Sequence, residues 1–596
     1  MLYPIENGIR EVKDLSGLWD FKADYDNKGR EEEWYKSRLL DTIIMPVPAS
    51  YNDITVEEAI RDHIGDVWYE RNFYIPAAWK DKRIVLRVGS ASHHAVLWVN
   101  GCEAARHKGG YLPFEAEITD MVQIGGENRV TIAVNNVLDW SCIPSGEIKT
   151  YEGDEYPRGY RTQETFFDFY NYSGIHRPVR LYVTPKIYIA DITVVTEIDG
   201  ETGIVDYNVS MQGGIRDIRI RLLDADGNLA AESAGTSGRL DVQHPSLWQP
   251  GKGYLYRLIA ETLDSQGNIE DSYELPVGIR TIKVEGNKFL INGKPFYFKG
   301  FGKHEDSDIR GKGLDEVLNI RDFNLLRWIG ANSFRTSHYP YSEEVMRLAD
   351  REGMVIIDEV PAVGMCFFDE SKAVFREDRV NEKTLEHHLQ AMKEMIARDK
   401  NHPCVVMWSI ANEAATNEEA SVPYFTNVVE KTRRLDPTRP VTIVMTPLPE
   451  SDKAGGLVDV ICVNRYYGWY QEHGRLELIE KLLEHELKGW YKKYNKPIIF
   501  SEFGADTVAG FHQLPAVSFS EEFQVEYLKR HHKVLDSLEF VIGEHVWNFA
   551  DFATKQGITR VIGNRKGVFT RQRQPKAAAF VLRERWMSSN PKWNEE

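Results

Sequence analysis

VVMWSIANE, residues 405–413, is an apolar run that ends on a carboxylate, and KPIIFSEFG, residues 496–504, carries a second carboxylate just after a run of its own. Short continuous apolar segments followed by a polar residue read as buried parallel strands opening onto a site, the pattern of barrel strands at their C-terminal ends. The two residues are Glu413 and Glu502. Either alone would pass for a surface group or an ion-pair partner. Two such carboxyls facing each other can cleave a glycosidic bond, one protonating the leaving oxygen and the other attacking the sugar carbon.

The stretches around them extend this pattern. From about Thr281 onward, strand-like segments alternate with amphipathic helices, which predicts an α/β fold. Strands are expected at Phe296–Gly300, Ser333–Thr336, Val355–Asp358, Val405–Ile410, Val441–Met445, Val458–Val463, Ile498–Phe500 and His545–Phe549. Eight is the count of a (β/α)8 TIM barrel, placed at 281–596. Leu385, Leu389, Met392 and Ile396 make one helical stripe. Val345, Leu348 and Ala349 make another, with Ser342 as N-cap, Glu343 and Glu344 in the first turn and Gly353 past the end. In this register Glu413 follows the fourth strand and Glu502 the seventh, so both face one bowl.

Upstream the periodicity is that of strands. Val67–Ile75, Arg83–Val88, Ala95–Val99 before the turn Asn100-Gly101, and Arg129–Val134 predict a β-sandwich of jelly-roll type over 1–185. Asp191–Ile198, Ile204–Ser210, Ile218–Leu223 and Tyr254–Glu261 predict an immunoglobulin-like sandwich over 186–280.

Composition removes several classes of function. A net charge of −17 argues against a nucleic-acid partner. It leaves room for an anionic substrate, because a small basic site dominates its own surroundings. Five scattered cysteines without a CxxC, together with a start lacking an apolar leader, point to a reducing, cytoplasmic setting with no membrane association. The pairs His93-His94, His387-His388 and His531-His532 diverge on a strand or helix and make poor chelates. No metal cluster and no cofactor are expected.

Ten further stretches carry a resemblance: GLWDF (17–21), VWYERNF (67–73), GGYLPFEA (109–116), FFDFYNYSGIHR (166–177), LWQPGKGYLY (247–256), RTSHYPY (335–341), ARDKNHP (397–403), NRYYGWY (464–470), VWNFADFATKQG (546–557) and NRKGVFTR (564–571). With them the chain resembles glycoside hydrolase family 2 over nearly its whole length, and within that family the bacterial β-glucuronidases. The resemblance implies hydrolysis of terminal β-D-glucuronides with retention of configuration, the two carboxyl groups lying about 5–5.5 Å apart. It implies Glu502 as nucleophile and Glu413 as acid and then base. Asn412 would bind the sugar 2-hydroxyl. Tyr466 would position the nucleophile, with Tyr470 a second site tyrosine. Trp547 would form a stacking floor, and His338, at the end of strand two, would touch the sugar ring. Asp168, from the first domain, would reach the 4-hydroxyl.

Reading a uronate needs a cation and a donor near C6. Asn564 and Lys566 face one way in an extended segment while Arg565 turns away, and this Asn–x–Lys element matches the family's reader of glucuronate. Arg560 would add a second cation. A homotetramer or dimer is the assembly the resemblance implies. The loop 361–382, with Met365, Phe367 and Phe368, is shorter than in the enteric bacterial relatives, where the aglycone would sit. A β-galacturonidase would share the carboxylate reader and differ near Asp168. A β-galactosidase of the same family would lack Asn564 and Lys566. A non-catalytic sugar-binding barrel would lack one of the two glutamates, and both are present.

Overall fold

The computed structural model describes residues 1–367 and 372–588. Eight parallel strands close a barrel at its C-terminal end: β1 (Phe298–Lys303), β2 (Ser333–Thr336), β3 (Val355–Glu359), β4 (Val405–Asn412), β5 (Val441–Met445), β6 (Val460–Asn464), β7 (Ile498–Glu502) and β8 (Val541–Val546). From β2 onward every strand residue is buried, which is why β3 to β7 read as largely continuous apolar runs and not as alternating ones.

Two strands differ from the sequence expectation by more than their ends. The first begins at Phe298 and runs on to Lys303. Its continuation was masked by glycines that the barrel requires: a Cβ on Gly300 would lie 1.8 Å from the Ser333 carbonyl oxygen, and one on Gly302 would lie 2.5 Å from the Trp547 ring. The eighth strand is Val541–Val546 and not His545–Phe549. Its residues Glu544 and His545 are polar yet fully buried. Glu544 is bound by Arg585 and the Trp586 indole of the helix Ala577–Met587, and His545 by Ser333 of β2, partners that local sequence does not reveal. His338 lies two residues beyond β2, not at its end.

The helices follow their sequence signals. In the helix Glu343–Glu352, the Val345 amide donates to the Ser342 hydroxyl, and Gly353 closes the end with φ 68°. The helix Glu382–Asp399 buries Met392 and Ile396 and leaves Leu385 and Leu389 half-buried at its edge.

The N-terminal domain faces a six-stranded against a four-stranded antiparallel sheet. Trp19, Phe21, Tyr69 and Leu86 are among the residues that fill the space between them. The second domain pairs a three-stranded with a four-stranded sheet between Tyr188 and Val277. Its core is mainly aliphatic, built on residues such as Ile192, Ile220 and Leu258, with Tyr207, Tyr256 and Tyr273 buried among them. One loop of the first domain reaches the barrel mouth: Phe169 bridges to Thr554, the Tyr170 amide donates to the Ala553 carbonyl at 2.8 Å, and Lys555 donates to the Thr165 carbonyl at 2.6 Å. Of the loop 361–382, Met365 is buried and Phe367 half-buried, while Phe368 lies outside the described residues.

Candidate active site

A cavity of about 570 Å³ opens at the C-terminal ends of the barrel strands. Ten of the eleven residues singled out in the sequence line it: Asp168, His338, Asn412, Glu413, Tyr466, Tyr470, Glu502, Trp547, Arg560 and Asn564. Lys566 is fully buried and does not line the cavity. Its ammonium is bound at 2.8 Å to the hydroxyl of Tyr470, which does.

The two carboxyls arrive there through local irregularity. The β4–β5 pairing slips between Ser409 and Asn412, and the β6–β7 pairing slips between Val463 and Asn464. Such slips turn side chains away from the regular alternation. Glu413 itself has φ 53°, a left-handed backbone that disfavours a non-glycine residue by about 1 kcal/mol or more. The hydrogen bond from its amide to the Val444 carbonyl, 2.9 Å, holds it in place.

Burial raises the pKa of both carboxyls above the usual carboxylate range. Glu502 is pushed up to about 8 by burial even against Arg335 and the Tyr466 hydroxyl. The direct contacts nonetheless favour the charged form at Glu502 more than at Glu413. Arg335 binds Glu502 directly, and the Tyr466 hydroxyl donates to Glu502 at 2.7 Å. Glu413 receives the neutral amide of Asn464 at 2.9 Å. A guanidinium and a phenol favour the charged form far more than one amide does. By these contacts Glu502 is the better placed of the two to carry a negative charge.

Arg335 also binds both oxygens of Glu359, at 2.7 and 2.9 Å. His338 packs its ring on Trp547, with centroids 5.0 Å apart and planes at 20°. Burial lowers its pKa against the pull of Glu359, so the ring is neutral. With Nδ1 against Glu359 at 2.9 Å, that nitrogen donates, and Nε2, 3.8 Å from Glu502, is left as an acceptor.

Opposite this group lies a second polar cluster. Asp168 accepts from Arg560 Nε and Asn564 Nδ2, each at 2.8 Å. Lys566 pairs with Asp506 at 2.6 Å. Tyr470, half-exposed, accepts from both Arg560 and Lys566. The sequence reading named neither Arg335, Asn464 nor Asp506. Arg335 carried a usable signal, as a charged residue inside a segment read as a buried barrel strand. Asn464 and Asp506 become visible only through what they bind.

The expectation that no metal-type cluster forms needs correction, though not at this cavity. Asp350, His402 and Cys404 bring ligand atoms within 4.8 Å of one another just before β4, at the opposite end of the barrel. Asp350 is bound by His402 Nδ1 at 2.5 Å and by the Cys404 amide at 3.0 Å, which accounts for the grouping by hydrogen bonds.

Three family models match in succession: the sugar binding domain of glycosyl hydrolases family 2 over 12–185, a further family 2 domain over 187–280, and the family 2 TIM barrel domain over 282–590. A β-glucuronidase of Paenibacillus borealis is 61% identical over 586 residues, covering 98% of both chains. Among solved structures, the β-D-glucuronidase of Dictyoglomus thermophilum aligns over 100% of both chains at 55% identity with a TM-score of 0.95. A β-glucuronidase from an uncultured Clostridium species aligns over 98% of this chain and 99% of its own, at 54% identity and TM-score 0.93. A sandwich, a second sandwich and a barrel holding a buried carboxyl pair define a glycoside hydrolase. The chain belongs to glycosyl hydrolase family 2.

Proposed function

We propose that the chain is a retaining exo-β-D-glucuronidase, releasing glucuronate and an alcohol. The observation that carries the reading is the cluster of Arg560, Asn564 and Lys566 gathered across the cavity from the carboxyl pair. A neutral sugar has no use for two cations at its C6 end. A uronate carboxylate does, and charge-assisted hydrogen bonds to it contribute about 1.5–3 kcal/mol each.

In this reading Glu502 attacks the anomeric carbon while Glu413 protonates the departing oxygen. The glycosyl ester then removes the charge from Glu502, so Glu413 loses the neighbour that kept it protonated and can activate water. Asn412 takes the 2-hydroxyl, Asp168 the 4-hydroxyl, and Trp547 with His338 the sugar face. Tyr466 holds Glu502 in line. No step calls for a metal or a cofactor.

The five cysteines form no disulfide, in keeping with a reducing cytoplasmic setting. No helix of the described residues is long and apolar enough to cross a membrane. A homotetramer or dimer is the proposed assembly, with neither nucleic acid nor membrane as partner.

The test is side-by-side hydrolysis of p-nitrophenyl β-D-glucuronide, β-D-galacturonide and β-D-galactoside. A strong preference for the glucuronide is expected. Equal cleavage of both uronides would remove Asp168 as the judge of the 4-hydroxyl. Preference for the galactoside would sink the uronate reading.

A further inference from the structure

Asp506 lies four residues beyond Glu502, where the chain leaves β7, and it is buried. Its Oδ2 takes the Lys566 ammonium at 2.6 Å and Arg560 at 3.4 Å, and its Oδ1 accepts the Arg565 backbone amide at 2.7 Å. The carboxyl is thus bound on both oxygens to the segment that carries the two cations. Burial pushes its pKa up, but Lys566 first and Arg560 next hold it below the usual carboxylate range.

An ammonium has three N–H groups. Asp506 takes one of Lys566's and the Tyr470 hydroxyl another. With two directions of a tetrahedron assigned, the third is fixed. The charges also balance: Lys566 and Arg560 stand against Asp506 and Asp168. A bare pair of cations would attract any small anion. A neutral, oriented cluster rewards only a carboxylate that arrives in the matching position.

We infer that Asp506 is a specificity-determining positioning residue, which orients Lys566 and Arg560 toward a substrate carboxylate and ties that reader to the strand bearing Glu502. The inference rests on the glucuronidase reading above. Asp506 touches no reacting atom; it acts through the two cations.

The test is Asp506→Asn in the full chain. Asn is nearly isosteric, but it offers one oxygen and one NH2. If the oxygen serves the Arg565 amide, the NH2 faces the Lys566 ammonium; turned over, it faces the amide instead. One of the two contacts is lost in either orientation. The kcat and KM for p-nitrophenyl β-D-glucuronide and β-D-glucoside are measured, along with inhibition by free D-glucuronate and D-glucose. The expected result is a rise of about tenfold or more in the glucuronide KM and the glucuronate inhibition constant, with the glucoside kcat/KM and the glucose inhibition constant changed by about twofold or less.

Tighter glucuronate binding would mean that Asp506 merely neutralises the cations, and would overturn the inference. Equal losses on glucuronide and glucoside would assign it a structural role and overturn it as well. In a double-mutant cycle, adding Asp506→Asn to Lys566→Gln should cost less than Asp506→Asn costs alone; full additivity would count against action through the lysine. Asp506→Glu, which keeps the charge and moves it by one methylene, serves if the Asn variant does not fold, and the same selective loss is expected. Inactivity of the unsubstituted protein on glucuronides would instead sink the functional reading, a result visible before any variant is made.

Discussion

Arg335 is the cation that bears most directly on the charge of Glu502. It is fully buried, divided between Glu359 and Glu502, and it opposes the rise that burial imposes on Glu502. Replacing it with Gln removes that opposition, so the Glu502 carboxylate is populated only at higher pH. The acid limb of kcat/KM should therefore move upward by about one unit or more, a shift of one unit corresponding to about 1.4 kcal/mol. A pH–rate profile checks this, and an unmoved acid limb would show that the Tyr466 hydroxyl alone holds the charge. The glutamates themselves were legible in the sequence because each ends a distinctive apolar run. Arg335 showed only as a charge within a strand, and Asn464 and Asp506 were not legible, because what marks them is a partner 37 and 60 residues away along the chain.

The barrel strands show the same division. β2 and β5 coincide with the segments that forecast them. β1 was expected over Phe296–Gly300 and runs instead over Phe298–Lys303, through Gly300 and Gly302, both glycine for want of space. Gly302→Ala would drive a methyl to within 2.5 Å of the Trp547 ring. The ring must shift, and His338 stacked on it shifts too. The expected outcome is a fall in kcat/KM of about tenfold or more, with a stability loss of about 1–3 kcal/mol. Activity assays paired with thermal unfolding check it; wild-type kinetics would show that the indole floor has slack. The register slips that aim Asn412 and Glu413 into the bowl lie beyond local periodicity, since they are set by pairing with β5.

Several histidines of the whole molecule are locked away neutral. Burial pulls His93, His387, His531, His532 and His545 down from the ordinary value of 6.5 to about 3 each. Between those values the unfolded chain binds protons that the folded chain refuses, so stability is lost as pH falls below about 6.5. Buried carboxyls work the other way, Asp551 raised to about 6, Glu502 to about 8, and Glu70, Asp306, Asp358 and Glu413 raised as well, but the lowered histidines outnumber them, since His63, His94, His176, His304, His338 and His388 shift in the same direction as the five. The melting temperature should hold near neutrality and fall steadily from pH 6.5 toward pH 4. Calorimetry across that range checks it, and a flat profile would mean that the buried rings gain protons without unfolding.

By itself the sequence determined the three-part architecture and the placement of both glutamates on one rim of the barrel, and its resemblance to family 2 pointed to further residues of the cavity wall. The first two are consequences of local periodicity and of residues standing at strand ends, and local order along the chain is enough to see them. Only the tertiary structure showed that Arg335 and the Tyr466 hydroxyl bind Glu502, that Lys566 lies behind the wall, and that Asp168 from the first domain meets Arg560 and Asn564 from the last. Those outcomes depend on burial and on partners brought together from distant segments. Desolvation and hydrogen bonding act through space, and no periodicity along the chain records them.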